Sequence, residues 1–301
     1  MRGSALIALP NSFQLTPSIQ NSDEKWLILD KAVKEAVIVK LFTALRSEEI
    51  EPILIKGWAA ARFYPDPFKR YIGDVDVSVQ LDRFSDAWRE LVDSGLSGEN
   101  IDLHRGFRDL DTVTWEKLFE RSYLVDLNGI GIRVLGDEDH LRLVATHWLI
   151  DGGFNKVRLW DVYYLVENRK ADFDWNLCLD SAGSKRKTWV LAAIATARDF
   201  LDLDVSGLPA VVREFRLPQW YVSALEKEWE RGPYLRLPLL KCISRPTFFF
   251  QQARRRFPPN PIAATTDTEG PIDDTARLPY QLKSIAKKLR NAASRIKVSA
   301  D

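Results

Sequence analysis

Two aspartates one position apart in a valine-rich run, Gly73-Asp74-Val75-Asp76-Val77, are the part of this chain with the clearest chemical potential. Side chains of a strand alternate between faces, so Asp74 and Asp76 would share one face while Val75, Val77 and Val79 take the other. Like charges at neighbouring same-face positions repel, and a divalent cation held between them removes that cost. Mg²⁺ suits the pair because it binds one or two carboxylates and completes its octahedron with water and phosphate oxygens. Mn²⁺ accepts the same donors. A second strand-like run, Asn100 to Phe107, offers Asp102, with His104 on the same face. If the two strands pair, the three aspartates converge, Asp74 and Asp76 on metal and Asp102 on a second ion or on the attacking hydroxyl. Two metal ions about 3.5–4 Å apart clamp the entering and leaving oxygens of an in-line displacement at phosphorus. The chemistry implied is phosphoryl or nucleotidyl transfer.

Upstream, Lys56-Gly57 forms a turn signal, and Arg70 lies between that turn and the aspartates. Both cations could hold phosphate, arginine as a fork and lysine as a point charge. In order, Ile55-Lys56-Gly57, Tyr64-Pro65, Arg70, Gly73-Asp74-Val75-Asp76 and Asp102-Leu103-His104 resemble the uncharacterised nucleotidyltransferase family found in bacteria, within the DNA polymerase beta-like nucleotidyltransferase superfamily. The run HLRLVATHWLIDGGFNKVRLWDVYYLVE, with His147 and Asp161, resembles that family's helical segment, and the likeness covers roughly residues 25–170. The resemblance implies an α+β fold, a small mixed or antiparallel sheet with flanking helices followed by a helical C-terminal half. It implies Asp74, Asp76 and Asp102 as metal ligands and catalytic residues, and Lys56, Gly57, Arg70 and Gly73 at the nucleotide. His104 would line the site or orient Asp102, and His147 would support it from behind. Where superfamily members usually carry Gly-Ser or Gly-Gly, Gly57 is followed by Trp58, and Gly57 precedes Asp74 by 17 positions. An indole there crowds the approach to the triphosphate unless it points away, which would leave Lys56 and Arg70 as the main cradle; Trp58 is also the feature that favours a binding protein without turnover.

These residues need elements to position them. Residues 1–22, rich in Ser, Pro and Asn, suggest a loose arm, and residues 23–136 an α/β core. Within the core the pattern predicts a helix from Glu24 to Leu45, a strand around Ile50–Ile55, a short helix through Ala59–Phe63, the Asp-x-Asp strand, a helix near Arg83–Asp93 and the Asp102 strand. Tyr123–Leu127 and Ile130–Val134 flank Asn128-Gly129, a strong hairpin signal. Residues 137–257 read as a helical domain, with His140–Ile150 and Lys156–Glu167 separated by the helix stop Asp151-Gly152-Gly153, and Trp189–Leu201 beyond. Its tryptophans are read as filling helix contacts, with an acceptor pocket as the alternative. A Pro-rich linker is expected over 258–279, then a basic amphipathic tail over 280–301, with Leu282, Ile285, Leu289 and Ile296 near one face. Such a tail is a solvated helix, or a contact for a partner or an anionic membrane.

At 301 residues and 46% hydrophobic content the chain can bury a sizeable core. A net charge of +1 and the absence of a basic stripe disfavour a long nucleic acid as partner. No apolar run is long enough to span a bilayer, and the start of the chain lacks a signal-peptide pattern, so the expectation is a cytoplasmic protein. His140 and His147 lie outside any zinc-binding pattern, and Cys178 and Cys242 give no disulfide framework. The expected activity is Mg²⁺-dependent transfer of a nucleotide from a nucleoside triphosphate such as ATP to a small molecule, peptide or protein. The alternatives are an inactive nucleotide- or partner-binding protein, and an accessory protein presenting a substrate in natural-product or peptide biosynthesis.

Overall fold

The structure, a computed structural model, describes residues 17–66, 70–232, 242 and 244–298. The first half runs α1 (Pro17–Ser47), β1 (Ile53–Leu54), α2 (Gly57–Ala61), β2 (Val75–Val79), α3 (Phe84–Asp93), β3 (Ile101–Arg105), α4 (Trp115–Arg121), β4 (Tyr123–Leu127) and β5 (Ile130–Val134). The strands form one sheet in the order β3-β2-β1-β5-β4. It is mixed: β1 runs antiparallel to β2 and parallel to β5, β2 and β3 are parallel, and β4 and β5 are antiparallel. With helices flanking this sheet and a helical second half, the α+β architecture is the one expected.

Alternation explains why β2 sits in the middle of a core and still carries chemistry. Val75, Val77 and Val79 pack with Ile38 and Leu41 of α1 and Leu91 of α3. Each such buried aliphatic side chain contributes about 1.5–3 kcal/mol. The opposite face of β2 carries Asp76 and Ser78, both buried. On β1, Leu54 joins the valine core while Ile53, with the following Ile55, joins a second core with Leu118 of α4 and Leu143. The β4–β5 hairpin turns through Asn128 at φ 55° and Gly129 at φ 83°, as a two-residue type I′ turn requires.

The second half comprises α5 (Asp137–Ile150), α6 (Leu159–Glu167), α7 (Trp175–Asp180), α8 (Gly183–Leu201), α9 (Ala210–Arg213), α10 (Gln219–Glu230), α11 (Pro246–Arg256), α12 (Pro261–Asp267) and α13 (Leu278–Val298). Asp137, Glu138 and Asp139 occupy the first turn of α5, where the helix dipole favours anions. Gly152 at φ 80° and Gly153 at φ 69° end it. Trp148 and Trp189 are buried in the helical core, and their indole N–H groups donate to Asn155 O and Gly270 O, at 2.9 and 2.7 Å. These tryptophans are packing residues, and the acceptor-pocket alternative does not apply to them.

The C-terminal part holds packed structure over the span read as a linker and a helix over the span read as the tail. Residues 258–279 hold α12, with Ile262, Thr265 and Ile272 buried, so the prolines mark helix starts and turns within a packed segment. The basic tail is docked: Ser284 Oγ donates to Asp267 Oδ2 at 2.6 Å and Lys287 Nζ to Asp267 Oδ1 at 2.8 Å. Leu282 and Leu289 stay exposed. Of the expected N-terminal arm, residues 1–16 lie outside the described residues, and α1 begins within the rest of it. Among the described residues no helix is long and apolar enough to cross a membrane.

Candidate active site

The parallel register of β2 and β3 sets Asp76 opposite Asp102 and Ser78 opposite His104. Same-face side chains on paired strands lie close, so this register makes one cluster of Asp76, Asp102 and His104. One potential ligand atom from each lies within 4.8 Å of the others. His104 Nε2 stands 2.9 Å from Asp76 Oδ1 and 3.2 Å from Asp102 Oδ2. The cluster is asymmetric: the Asp76 residue is 6% exposed, while the Asp102 side chain is 55% exposed. It is therefore a buried carboxylate beside an open one, reachable from solvent through Asp102.

Lys56 completes the group. Its Nζ lies 2.9 Å from Asp76 Oδ1 and 3.5 Å from His104 Nε2. The backbone of Lys56 is at φ 52° and ψ −138°, a positive-φ conformation that costs a non-glycine residue about 1–3 kcal/mol. Burial opposes ionisation of Asp76, but the hydrogen bond from His104 and the Lys56 ammonium outweigh it, and the carboxyl titrates below its ordinary range. Asp76 is thus an anion at neutral pH.

The turn beside Lys56 is tight. A Cβ on Gly57 would meet Asp74 O at 3.3 Å and Ile72 Cγ2 at 3.4 Å, so this glycine permits a close approach to the backbone that enters β2. Gly73 has no such constraint, since its Cβ would meet Tyr71 at 3.8 Å. Trp58 points away from the cluster: its indole is buried in the valine core and donates to Glu35 Oε1 at 2.9 Å.

The remaining expected residues are placed elsewhere. Asp74 sits half-buried at a bend just before β2 and lies outside the Asp76–Asp102–His104 cluster. Arg70 is clamped to Asp161 of α6 through Nε at 2.7 Å and Nη2 at 2.9 Å, and its Nη1 donates to Tyr71 O. Tyr64 Oη donates to the same Asp161 at 2.7 Å. Burial would lower the Arg70 pKa, but the Asp161 carboxylate raises it, with a smaller contribution from Asp76. Arg70 therefore lies within electrostatic reach of the cluster while its guanidinium anchors the loop to the helical half. No local pattern links Asp161 to Arg70, 91 positions away in sequence. His147 lies near the end of α5, with Nδ1 3.7 Å from Asp109 Oδ2 and Nε2 3.4 Å from Arg158 Nη1. The structure pairs it there and not with the cluster. His140 is wholly buried, and among the described residues neither ring nitrogen has a hydrogen-bond partner; desolvation pushes its pKa to about 3, so it is neutral.

Two carboxylates and an imidazole are a sound donor set for a divalent ion, with the nitrogen shifting preference from Mg²⁺ toward Mn²⁺. Asp76 is ionised and Asp102 is accessible, so the residues fit; the Lys56 ammonium now occupies part of the same carboxylate.

No protein-family model matches the chain, and no curated protein matches it. Among solved structures, the crystal structure of an antigenic nucleotidyltransferase-like protein from Paracoccidioides brasiliensis is similar over 60% of this chain and 91% of that one, at 17% identity and a TM-score of 0.41. A likeness that slight carries no functional argument, and the weight falls on the geometry of the β2–β3 seam.

Proposed function

We propose that the protein is a divalent-metal-dependent nucleotidyltransferase. It would move a nucleoside monophosphate group from a nucleoside triphosphate to a hydroxyl or amine of a small molecule, peptide or protein. The bond between the α-phosphorus and its bridging oxygen breaks, a bond from the acceptor to that phosphorus forms, and pyrophosphate leaves. The observation that carries the reading is the β2–β3 register, which sets an ionised, buried Asp76 beside an open Asp102 with Lys56 at hand.

A bound Mg²⁺ or Mn²⁺ would neutralise the facing carboxylates and the triphosphate charge. Asp76 and Asp102 would hold it, with His104 as a third donor and Asp74 joining from the bend. Asp102, being exposed, is the residue placed to take the acceptor's proton. Lys56 is assigned to phosphate charge; in exchanging Asp76 for a triphosphate it would give up an ion pair and free the carboxylate. Gly57 and Gly73 are assigned beside the nucleotide, Gly57 by keeping the Lys56 turn close to the backbone that enters β2. Arg70, held by Asp161 and Tyr64, is assigned to fixing the loop before β2, with its positive potential favouring the triphosphate.

A second reading, a nucleotide- or partner-binding protein without turnover, draws on Lys56 and His104 both occupying Asp76 Oδ1 and on Asp74 standing outside the cluster. Calorimetric titration of each ribonucleoside triphosphate with Mg²⁺ or Mn²⁺, beside a pyrophosphate-release assay, separates the two. Metal-dependent binding abolished by Asp76→Asn and Asp102→Asn, with pyrophosphate released once an acceptor is supplied, is expected. Binding without release across acceptor classes supports the second reading. A folded protein that binds no triphosphate would sink the transferase reading and leave a partner-binding role for the fold.

A further inference from the structure

The helical half holds a cavity of about 680 Å³ walled by α10, α11, α12 and α13. That volume lies within the range of sites that enclose a small molecule, about 300–1,000 Å³. Five basic side chains line it, Lys227, Arg231, Arg254, Arg256 and Lys288. Among the described lining residues they face one acid, Glu228. Glu228 is buried and already engaged: Arg231 Nη1 lies 3.7 Å from its Oε2, and Asn260 Nδ2 donates to it at 3.5 Å. On a chain of net charge +1, such an excess at one cavity is a local concentration of positive potential.

The rest of the wall is largely apolar, with Ser223, Asn260 and Gln281 as its polar members, and two of its residues are fixed in place. Trp220 donates its indole N–H to Asp273 O at 2.7 Å, and the Arg277 guanidinium sits 4.3 Å from its ring centroid. Asn260 is pinned by accepting from the Ile262 and Ala263 amides, at 2.8 and 3.1 Å. Phe257 and Leu289 also line the cavity although 53% and 67% exposed, large apolar surface left uncovered beside the cations.

We propose that this cavity binds a soluble organic phosphate, its phosphate held among Lys227, Arg231, Arg254 and Lys288 and its apolar body against Trp220, Phe257 and Leu289. Clustered guanidinium and ammonium groups match a phosphate dianion in charge and hydrogen-bond donors. Inorganic phosphate alone would leave most of the volume and the apolar wall unused. The site is separate from the β2–β3 seam, and the inference does not depend on the transfer reaction proposed there.

The test is calorimetric titration of 1-naphthyl phosphate into the full chain at low ionic strength. One site is expected, with 1-naphthol and inorganic phosphate each at least about tenfold weaker because either lacks half of the recognition. Lys227→Glu/Lys288→Glu, two exposed positions compatible with folding, should weaken binding at least about tenfold, since charge reversal turns attraction into repulsion. Asp76→Asn should leave it unchanged. Circular dichroism would verify that both variants are folded. Unaltered binding in the lysine variant, loss of binding in Asp76→Asn, or equal affinity for inorganic phosphate would each overturn the proposal. So would failure to bind 1-naphthyl phosphate while the chain co-sediments with anionic lipid vesicles through Lys227 and Lys288, which would assign the cations to a membrane surface.

Discussion

Asp76 and Asp139 are both buried aspartates with two nitrogen-bearing partners each, yet their carboxyls are pushed in opposite directions. Asp76 meets Lys56 and His104 and titrates below the ordinary carboxylate range despite its burial. Asp139, 1% exposed on α5, meets Arg121 Nε at 2.9 Å and Arg142 Nη1 at 2.7 Å, yet desolvation wins and raises its pKa. Arg142 is itself buried and donates through Nη2 to Thr112 Oγ1 and Ser181 O, stapling α5 to its neighbours. Cationic neighbours alone, then, do not make a reactive carboxylate. What distinguishes Asp76 is an open side, where the exposed Asp102 leaves the pair reachable from solvent.

Stability should separate the two aspartates most widely. Asp139→Ala leaves Arg142 buried without its partner and should cost about 3–5 kcal/mol in urea denaturation, without a specific effect on triphosphate binding. A loss below about 1 kcal/mol would erase the contrast between a structural and a reactive aspartate. Asp76→Asn should do the reverse. Pyrophosphate release should fall by at least about 10²-fold. Stability should fall less than in Asp139→Ala, because Lys56 can turn its ammonium toward solvent. Gly57→Ala should act more mildly: its Cβ would press on Asp74 O and shift the start of β2 by a few tenths of an ångström. A decrease of about tenfold in pyrophosphate release, with a change of at most about 1 kcal/mol in stability, is expected.

The contrast also marks what a sequence can and cannot disclose. The β4–β5 hairpin is legible to the residue, because Asn128-Gly129 specifies its turn locally. The Asp-x-Asp strand and the Asp102 strand are legible from alternation, and pairing them is a conditional step. Their parallel register is a tertiary fact, and it decides that Asp76 rather than Asp74 faces Asp102. The Arg70–Asp161 clamp joins residues 91 positions apart, beyond any local pattern. Short helices such as α4, α7 and α12 lack enough turns to display a period, and the prolines at 258, 259 and 261 read as a linker where they start packed structure. His147 has the composition of a site residue, and only packing assigns it to Asp109 and Arg158.

The pH dependence should be the mildest effect, and it is also the most discriminating, because the two aspartates should bend the stability curve in opposite senses. An unfolded aspartate titrates near pH 4. The folded Asp76 pKa lies below that, so between the two values the unfolded chain binds the proton and the folded chain does not. The stabilisation from Asp76 is therefore complete above about pH 4 and is lost as pH falls through its folded value. For Asp139 the folded pKa lies above the unfolded one, so its contribution is present below about pH 4 and is lost as pH rises through the folded value. A tenfold difference in proton affinity between the folded and unfolded chain corresponds to about 1.4 kcal/mol. Urea denaturation of wild type, Asp76→Asn and Asp139→Asn from pH 3 to 7 measures both. The wild-type advantage over Asp76→Asn should grow with pH and level off above about pH 4, while the difference from Asp139→Asn should move the other way. Parallel curves would show that the open edge beside Asp102 does not set Asp76 apart.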